Sequence, residues 1–193
     1  MERTGRQRRA ASAVSTGPPF TKTLGVRVGG ARTIQMGLSA MLALTKTPYS
    51  YRTDPDVPAF DDGRPMTVMD GQCVLCSVGA RLIARFDKAD EFRICRAQTP
   101  LGQSLLRHYG LSPTDPESWL YIVDGRAFTS LDAMIRAGRR VGGPGWLLQL
   151  LRLMPRALQD WLYQKLARNR YRLFGRTDMC SIPDPALRAR LME

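Results

Sequence analysis

The sequence predicts an α/β domain of order β-α-β-α-β-β-α with a helical C-terminal extension. Three observations carry this expectation. Short apolar runs alternate with segments whose apolar residues recur at three- and four-residue spacing. A strand, a helix and a strand follow one another between Met66 and Cys95, the pattern of a βαβ unit with parallel strands. An Asp124-Gly125 pair then joins two further strand-like runs, a strong hairpin signal.

Each element has its own justification. Met66-Thr67-Val68-Met69 is a short apolar run and reads as a buried strand. Asp70-Gly71 turns the chain. From Cys73 to Phe86, Val74, Leu75, Val78, Leu82, Ile83 and Phe86 form the apolar stripe of a helix, with Arg81 and Arg85 on its wet side. Phe92-Arg93-Ile94-Cys95 alternates and reads as the second strand. Pro100 opens a helix carrying Leu101, Leu105 and Leu106, and Gly110 ends it. Trp119 to Val123 is the clearest strand, and Ala127-Phe128-Thr129 returns antiparallel. Ser130 is placed as the N-cap of a helix from Leu131 to Val141. Gly142-Gly143-Pro144-Gly145 breaks the chain, and two short helices split at Pro155 are expected after it. Asp184-Pro185 starts a last short helix.

The chain has 193 residues, with 29 Lys+Arg against 17 Asp+Glu and 44% apolar content. That composition suits a folded domain with a real core and no disulfide scaffold. No apolar run approaches the roughly 20 residues of a transmembrane helix, so an integral membrane protein is not expected. The net charge of +12 is uneven. Residues 1–50 hold eight basic residues against Glu2 alone and read as a disordered basic leader. A start codon placed too far upstream is its first explanation, a plain tail the second and an organelle transit peptide the third. Residues 51–65, with Pro55, Pro58 and Pro65, read as a linker. The core is then assigned to residues 66–141 and the helical extension of the same domain to residues 142–193.

Cys73 and Cys76 fall where the first strand gives way to the first helix. Two cysteines three apart on a helix can bridge. Cys73 stands at the helix N-terminus, where free N–H groups and the dipole favour a thiolate and lower its pKa. The thiolate attacks disulfides. Cys76, one turn further in, is expected to be better shielded and suits the resolving role. Asp70 either accepts the Cys76 proton or caps the turn.

Asp70-x-x-Cys73-x-x-Cys76 after a short strand resembles the DCC family of thiol-disulfide oxidoreductases. Gln98-Thr99-Pro100-Leu101-Gly102, Val123-Asp124-Gly125 and the run from Arg168 to Arg176 followed by Cys180 extend the likeness over residues 66–190. The resemblance implies a thioredoxin-like fold and protein-disulfide reductase activity, with Cys73 and Cys76 as the redox-active pair. No metal or organic cofactor is then expected. The partners would be a disulfide-containing protein or small thiol and an unknown reductant. Val74 and Leu75 replace the residues usual between thioredoxin cysteines, and Pro116 is the nearest candidate for the family-typical cis-proline.

Other assignments compete. Cys180 is a candidate auxiliary thiol, while Cys95 reads as a core residue and His108 as a surface residue near a helix end. A zinc site lacks a second CxxC. The cluster Arg168, Arg170, Arg172 and Arg176 is expected to be a solvated helix end rather than a nucleic-acid site. Trp146 to Met154 and Trp161 are expected to cover the core, with peripheral membrane contact as the alternative. The rival functions are a non-catalytic interaction module and a basic RNA- or membrane-surface-binding protein with a structural CxxC. Without a secretion signal, a cytoplasmic, reducing location is expected, or an organelle if residues 1–50 are a transit peptide.

Overall fold

The computed structural model describes residues 46–114 and 119–192. Five strands form one sheet: β1 (Met66–Met69), β2 (Arg93–Arg96), β3 (Leu120–Val123), β4 (Arg126–Thr129) and β5 (Leu191–Met192). Their spatial order is β4-β3-β1-β2-β5. β1 and β2 are parallel, with Val68 opposite Cys95. β3 runs antiparallel along the other side of β1, and β4 antiparallel beyond it. Asp124 and Gly125 turn that hairpin with φ of 50° and 70°, the left-handed pair a two-residue type I′ turn needs.

The helices are α1 (Val74–Phe86), α2 (Pro100–His108), α3 (Ser130–Val141), α4 (Arg156–Phe174) and α5 (Pro185–Arg188). Alternation along the strands divides the core into two layers. Met66, Val68 and Cys95 face Leu101, Leu105 and Leu106 of α2. Met69, Ile94 and Tyr121 face Ala80 and Ile83 of α1, Ala133 of α3 and Leu187 of α5. A βαβ unit followed by a β-hairpin and a helix, with helices on both faces, is the thioredoxin-like arrangement.

Several local expectations change. The α3 boundary falls at Thr129, and Ser130 is the first helical residue, with φ 58°. The two short helices become an 11-residue 3-10 segment, Gly143–Leu153, and a 19-residue α4. Strand β5 was not foreseen. It pairs parallel to β2, and the Arg190 carbonyl accepts from Ile94 N at 2.8 Å. Residues 46–65 are irregular apart from a 3-10 turn at Ser50–Thr53, yet they pack on the domain. Tyr51 is 2% exposed in the α2-side core, with Val57 and Phe60 against it. Residues 1–45 of the expected leader lie outside the described residues.

Candidate active site

β1 ends at Met69, and the chain leaves the sheet through Asp70-Gly71-Gln72 to enter α1. Cys73 is the N-cap, with extended backbone at φ −102° and ψ 126°. No capping side-chain bond forms there, so the first amides of α1 remain available to a sulfur anion. The pair is in the dithiol state, all four cysteines being free. The neighbouring Cys76 thiol does most to bring the Cys73 pKa down to about 6. Burial opposes it. The backbone N–H groups of Cys76 and Leu75 reinforce it, and the Asp70 charge works against it. Cys76 moves the other way, raised first by the Cys73 thiol, then by burial and by the neighbouring negative charges. Cys73 is therefore the sulfur that ionises first, while Cys76 keeps its proton.

The shielding differs from the sequence expectation. Cys73 is wholly buried at 0% exposure, whereas Cys76 is half-buried. The cover over Cys73 is the chain after α4. Cys73 and Arg176 form an antiparallel bridge, Thr177 N donates to Gln72 O at 3.1 Å, and Met179 N donates to Gly71 O at 2.9 Å. Met179 is fully buried beneath this strap. A helix cannot lay its own sulfur under a neighbouring strand by local pattern alone, so residue spacing did not reveal it.

Asp70 is 4% exposed and fully engaged. Its Oδ1 accepts from Gln72 N at 2.9 Å and from Gln98 Nε2 at 2.8 Å. Its Oδ2 accepts from Arg170 Nη2 at 3.1 Å and from the Tyr171 hydroxyl. Burial alone would raise its pKa. The Tyr171, Gln72, Gln98 and Arg170 donors outweigh it and hold the carboxyl below its usual range. None of the described hydrogen bonds joins the carboxylate to Cys76.

Gln98, Arg170 and Tyr171 are thus part of the site, and sequence reasoning missed their role. Arg170 was grouped with a solvated helix end, but it is 7% exposed. The signal was its place at i+4 from Leu166 and i+3 from Ala167, on the inner face of α4.

Cys76 and Asp70 help line a cavity of about 330 Å³ between α1, α3, the 3-10 segment and α4. Its walls are otherwise nearly all apolar, among them Leu75, Ile83, Trp119, Leu148 and Leu166. Cys180 lies in the 3-10 turn Met179–Ser181, half-buried, at the end of the strap. Cys95 is a core residue whose sulfur lies 3.2 Å from Thr99 Oγ1. His108 is not a surface residue. Its ring bridges Asp54 Oδ2 at 2.5 Å and Ser50 Oγ at 2.9 Å, tying the N-terminal arm to α2. Pro116 lies outside the described residues. Among the described residues no cluster of three metal-ligating side chains occurs.

A CxxC at the N-cap of the first helix of a thioredoxin-like sheet defines the class of thiol-disulfide oxidoreductases. Within that class, residues 67–176 match the model of the DCC1-like thiol-disulfide oxidoreductase family, and the chain belongs to that family. It is 34% identical over 126 residues to the uncharacterized protein YuxK of Bacillus subtilis, covering 65% of this chain and 91% of that one. It is 30% identical over 123 residues to a DCC family protein of Arabidopsis thaliana described as chloroplastic, covering 63% of this chain and 72% of that one. No solved structure matches it.

Proposed function

We propose that the protein is a protein-disulfide reductase working through Cys73 and Cys76. The observation that carries this is the position of Cys73 at the α1 N-cap with Cys76 one turn further in. There the Cys76 thiol and the first α1 amides bring the Cys73 pKa down to about 6. At neutral pH most of Cys73 is thiolate, the form that attacks disulfides.

In the first step the Cys73 thiolate bonds to one sulfur of the substrate disulfide, and the other sulfur leaves as a thiolate. Cys76 then loses its proton to that leaving thiolate or to water. Its own thiolate attacks the Cys73 sulfur, the Cys73–Cys76 disulfide forms, and the second substrate sulfur leaves. Two electrons have moved from the pair to the substrate. A dithiol or two monothiols return them. No metal or organic cofactor takes part.

Asp70 acts in this scheme as the cap of the turn before Cys73 rather than as a base, because its four donors occupy both oxygens. The apolar cavity beside Cys76 suits a substrate that presents an apolar group next to its disulfide, whether a protein segment or a small molecule. The reductase direction goes with a reducing compartment, the cytoplasm or, in line with the relative described as chloroplastic, an organelle reached through residues 1–50.

The test is turnover of a disulfide substrate with a thiol reductant. Cys73→Ser should abolish it, and Cys76→Ser should accumulate a mixed disulfide on Cys73. A Cys73 that alkylates no faster than Cys95 at neutral pH would remove the basis of the proposal. The direction is read from the reduction potential of the pair. A potential well above that of a reducing thiol pool would make it an oxidase instead.

A further inference from the structure

The 3-10 segment Gly143–Leu153 and α4 hold nine of the eleven exposed large hydrophobic side chains among the described residues, and these have their own geometry. A 3-10 helix repeats every three residues, so residues i and i+3 stack in one ridge. Gly145, Leu148 and Leu151 form the ridge turned inward, and Gly145 and Leu148 line the cavity. Leu147, Leu150 and Leu153 form a second ridge turned outward, with Leu153 85% exposed. Trp146 stands beside it at 60%.

α4 has the same two-sided character. Tyr163, Leu166, Ala167 and Arg170 face the cavity. Leu158, Trp161, Lys165, Arg168 and Arg172 follow at three- and four-residue spacing on the opposite side. Trp161 is 57% exposed, and the Lys165 ammonium lies over its ring at 5.9 Å. The outward side is thus apolar toward the N-terminal half of α4 and basic toward the C-terminal half. Residues 143–174 contain six Lys and Arg against Asp160 alone.

We propose that the outward sides of these two elements, which follow one another across Met154-Pro155, dock on the surface of an anionic lipid bilayer. Leu ridges and two tryptophans would enter the headgroup boundary while the flanking Arg and Lys meet lipid phosphates. Among the described residues no helix is long and apolar enough to cross a membrane, so the contact is peripheral. Charge separates this occupant from the others. A second copy of the chain would set one basic face against another. Residues 1–45 carry seven basic residues against Glu2, so they repel this face and share its attraction to an anionic surface. A nucleic acid would use the basic residues and the tryptophans but leave the leucine ridge in water.

The experiment is co-sedimentation of the full reduced chain with vesicles of phosphatidylcholine alone and of phosphatidylcholine mixed with phosphatidylglycerol. Binding is expected to the mixed vesicles, to fall steeply with salt, and to be weak on phosphatidylcholine alone. Trp146→Ser with Leu153→Ser should lower the partition at least about tenfold. Arg172→Gln and Lys165→Gln should each lower it about fivefold. All four positions are exposed, and an unchanged thermal melt shows that the variants are folded. Failure to sediment with the mixed vesicles overturns the proposal. So does a concentration-dependent dimer that Trp146→Ser with Leu153→Ser abolishes. RNA binding that survives those two substitutions, with no vesicle binding, overturns it in favour of nucleic acid.

Discussion

Arg170 Nη2 lies 3.1 Å from Asp70 Oδ2, joining the inner face of α4 to the turn that carries the cysteines across 100 positions of sequence. Both side chains are nearly excluded from water, at 8% and 3% exposure. Tyr171 donates to the same oxygen, and its ring is stacked by the Arg170 and Arg176 guanidinium groups, each 4.4 Å from the centroid. The C-terminal extension is therefore part of the wall of the candidate site, not an appendage.

Removing one partner of a buried ion pair strands the other charge at a cost of about 3–5 kcal/mol. Arg170→Ala should lower stability by that order, measured by denaturant unfolding. Asp70→Asn should destabilise too, and it should also act on the thiol. The Asp70 charge raises the Cys73 pKa, so its loss should move thiolate formation to lower pH, followed by absorbance near the thiolate band. An unmoved titration in a folded Asp70→Asn protein would show that the carboxylate does not reach Cys73 electrostatically.

The opposite shifts of the two thiols also set a pH dependence of stability. Cys73 ionises near pH 6 in the folded dithiol, while Cys76 holds its proton beyond the ordinary thiol range. In the unfolded chain both ionise near 8.5. The depressed Cys73 pKa adds stability that is complete above the unfolded value and lost as pH falls through about 6. The raised Cys76 pKa adds stability that is present below the unfolded value and lost at higher pH. The reduced protein should thus be most stable near about pH 8–9, relative to a Cys73→Ser, Cys76→Ser double variant. A flat difference between the two proteins from pH 5 to 10 would contradict the opposite shifts of the two thiols.

The strands, the hairpin and the strand-to-helix position of the two cysteines were legible because each rests on local pattern. Met66–Met69, Asp124-Gly125 and the Cys73–Cys76 spacing need nothing beyond their neighbours in sequence. What was not legible depends on distant residues. Arg170 and Tyr171 look like a solvated basic run until α4 is laid beside Asp70. β5 has two residues and no periodicity, and it is held by Arg190, whose Nη2 donates to the Asp87 carbonyl at 2.8 Å. Cys73 looked like the exposed sulfur because the strap that covers it arrives from residues 176–179. The Trp146–Met154 run reads as cover for the core, but a 3-10 helix turns only one of its three ridges inward.

In the proposed reaction, a substrate disulfide reaches Cys73 only when that strap opens. Two backbone hydrogen bonds and the buried Met179 side chain hold it over Gly71–Cys73. Thr177→Pro deletes the donor to Gln72 O. One such bond contributes about 0.5–1.5 kcal/mol, so the open fraction should rise by about two- to tenfold. Alkylation of Cys73 at fixed pH should accelerate by the same factor while its apparent pKa stays near 6. An unchanged rate would mean that reagents reach the sulfur by another route.

The cavity beside Cys76 depends on how closely the 3-10 segment seats on α3. Gly138 and Gly145 make that approach. A Cβ on Gly138 would meet Gly145 O at 2.7 Å and Leu148 Cδ1 at 2.8 Å, and a Cβ on Gly145 would meet Gly138 O at 2.7 Å. Backbone oxygen cannot yield as a flexible side chain can, so the segment must move away as a unit. Gly138→Ala should therefore destabilise by about 1–3 kcal/mol, despite the better helix propensity of alanine. It should also expose the Gly143–Leu153 segment to limited proteolysis and weaken any apolar ligand held against Leu148. The β-sheet and the Asp70–Arg170 pair do not touch this contact, so the Cys73 titration should stay near pH 6 in the variant. A Gly138→Ala protein as stable and protease-resistant as the parent would show that the two glycines are not what seats the segment.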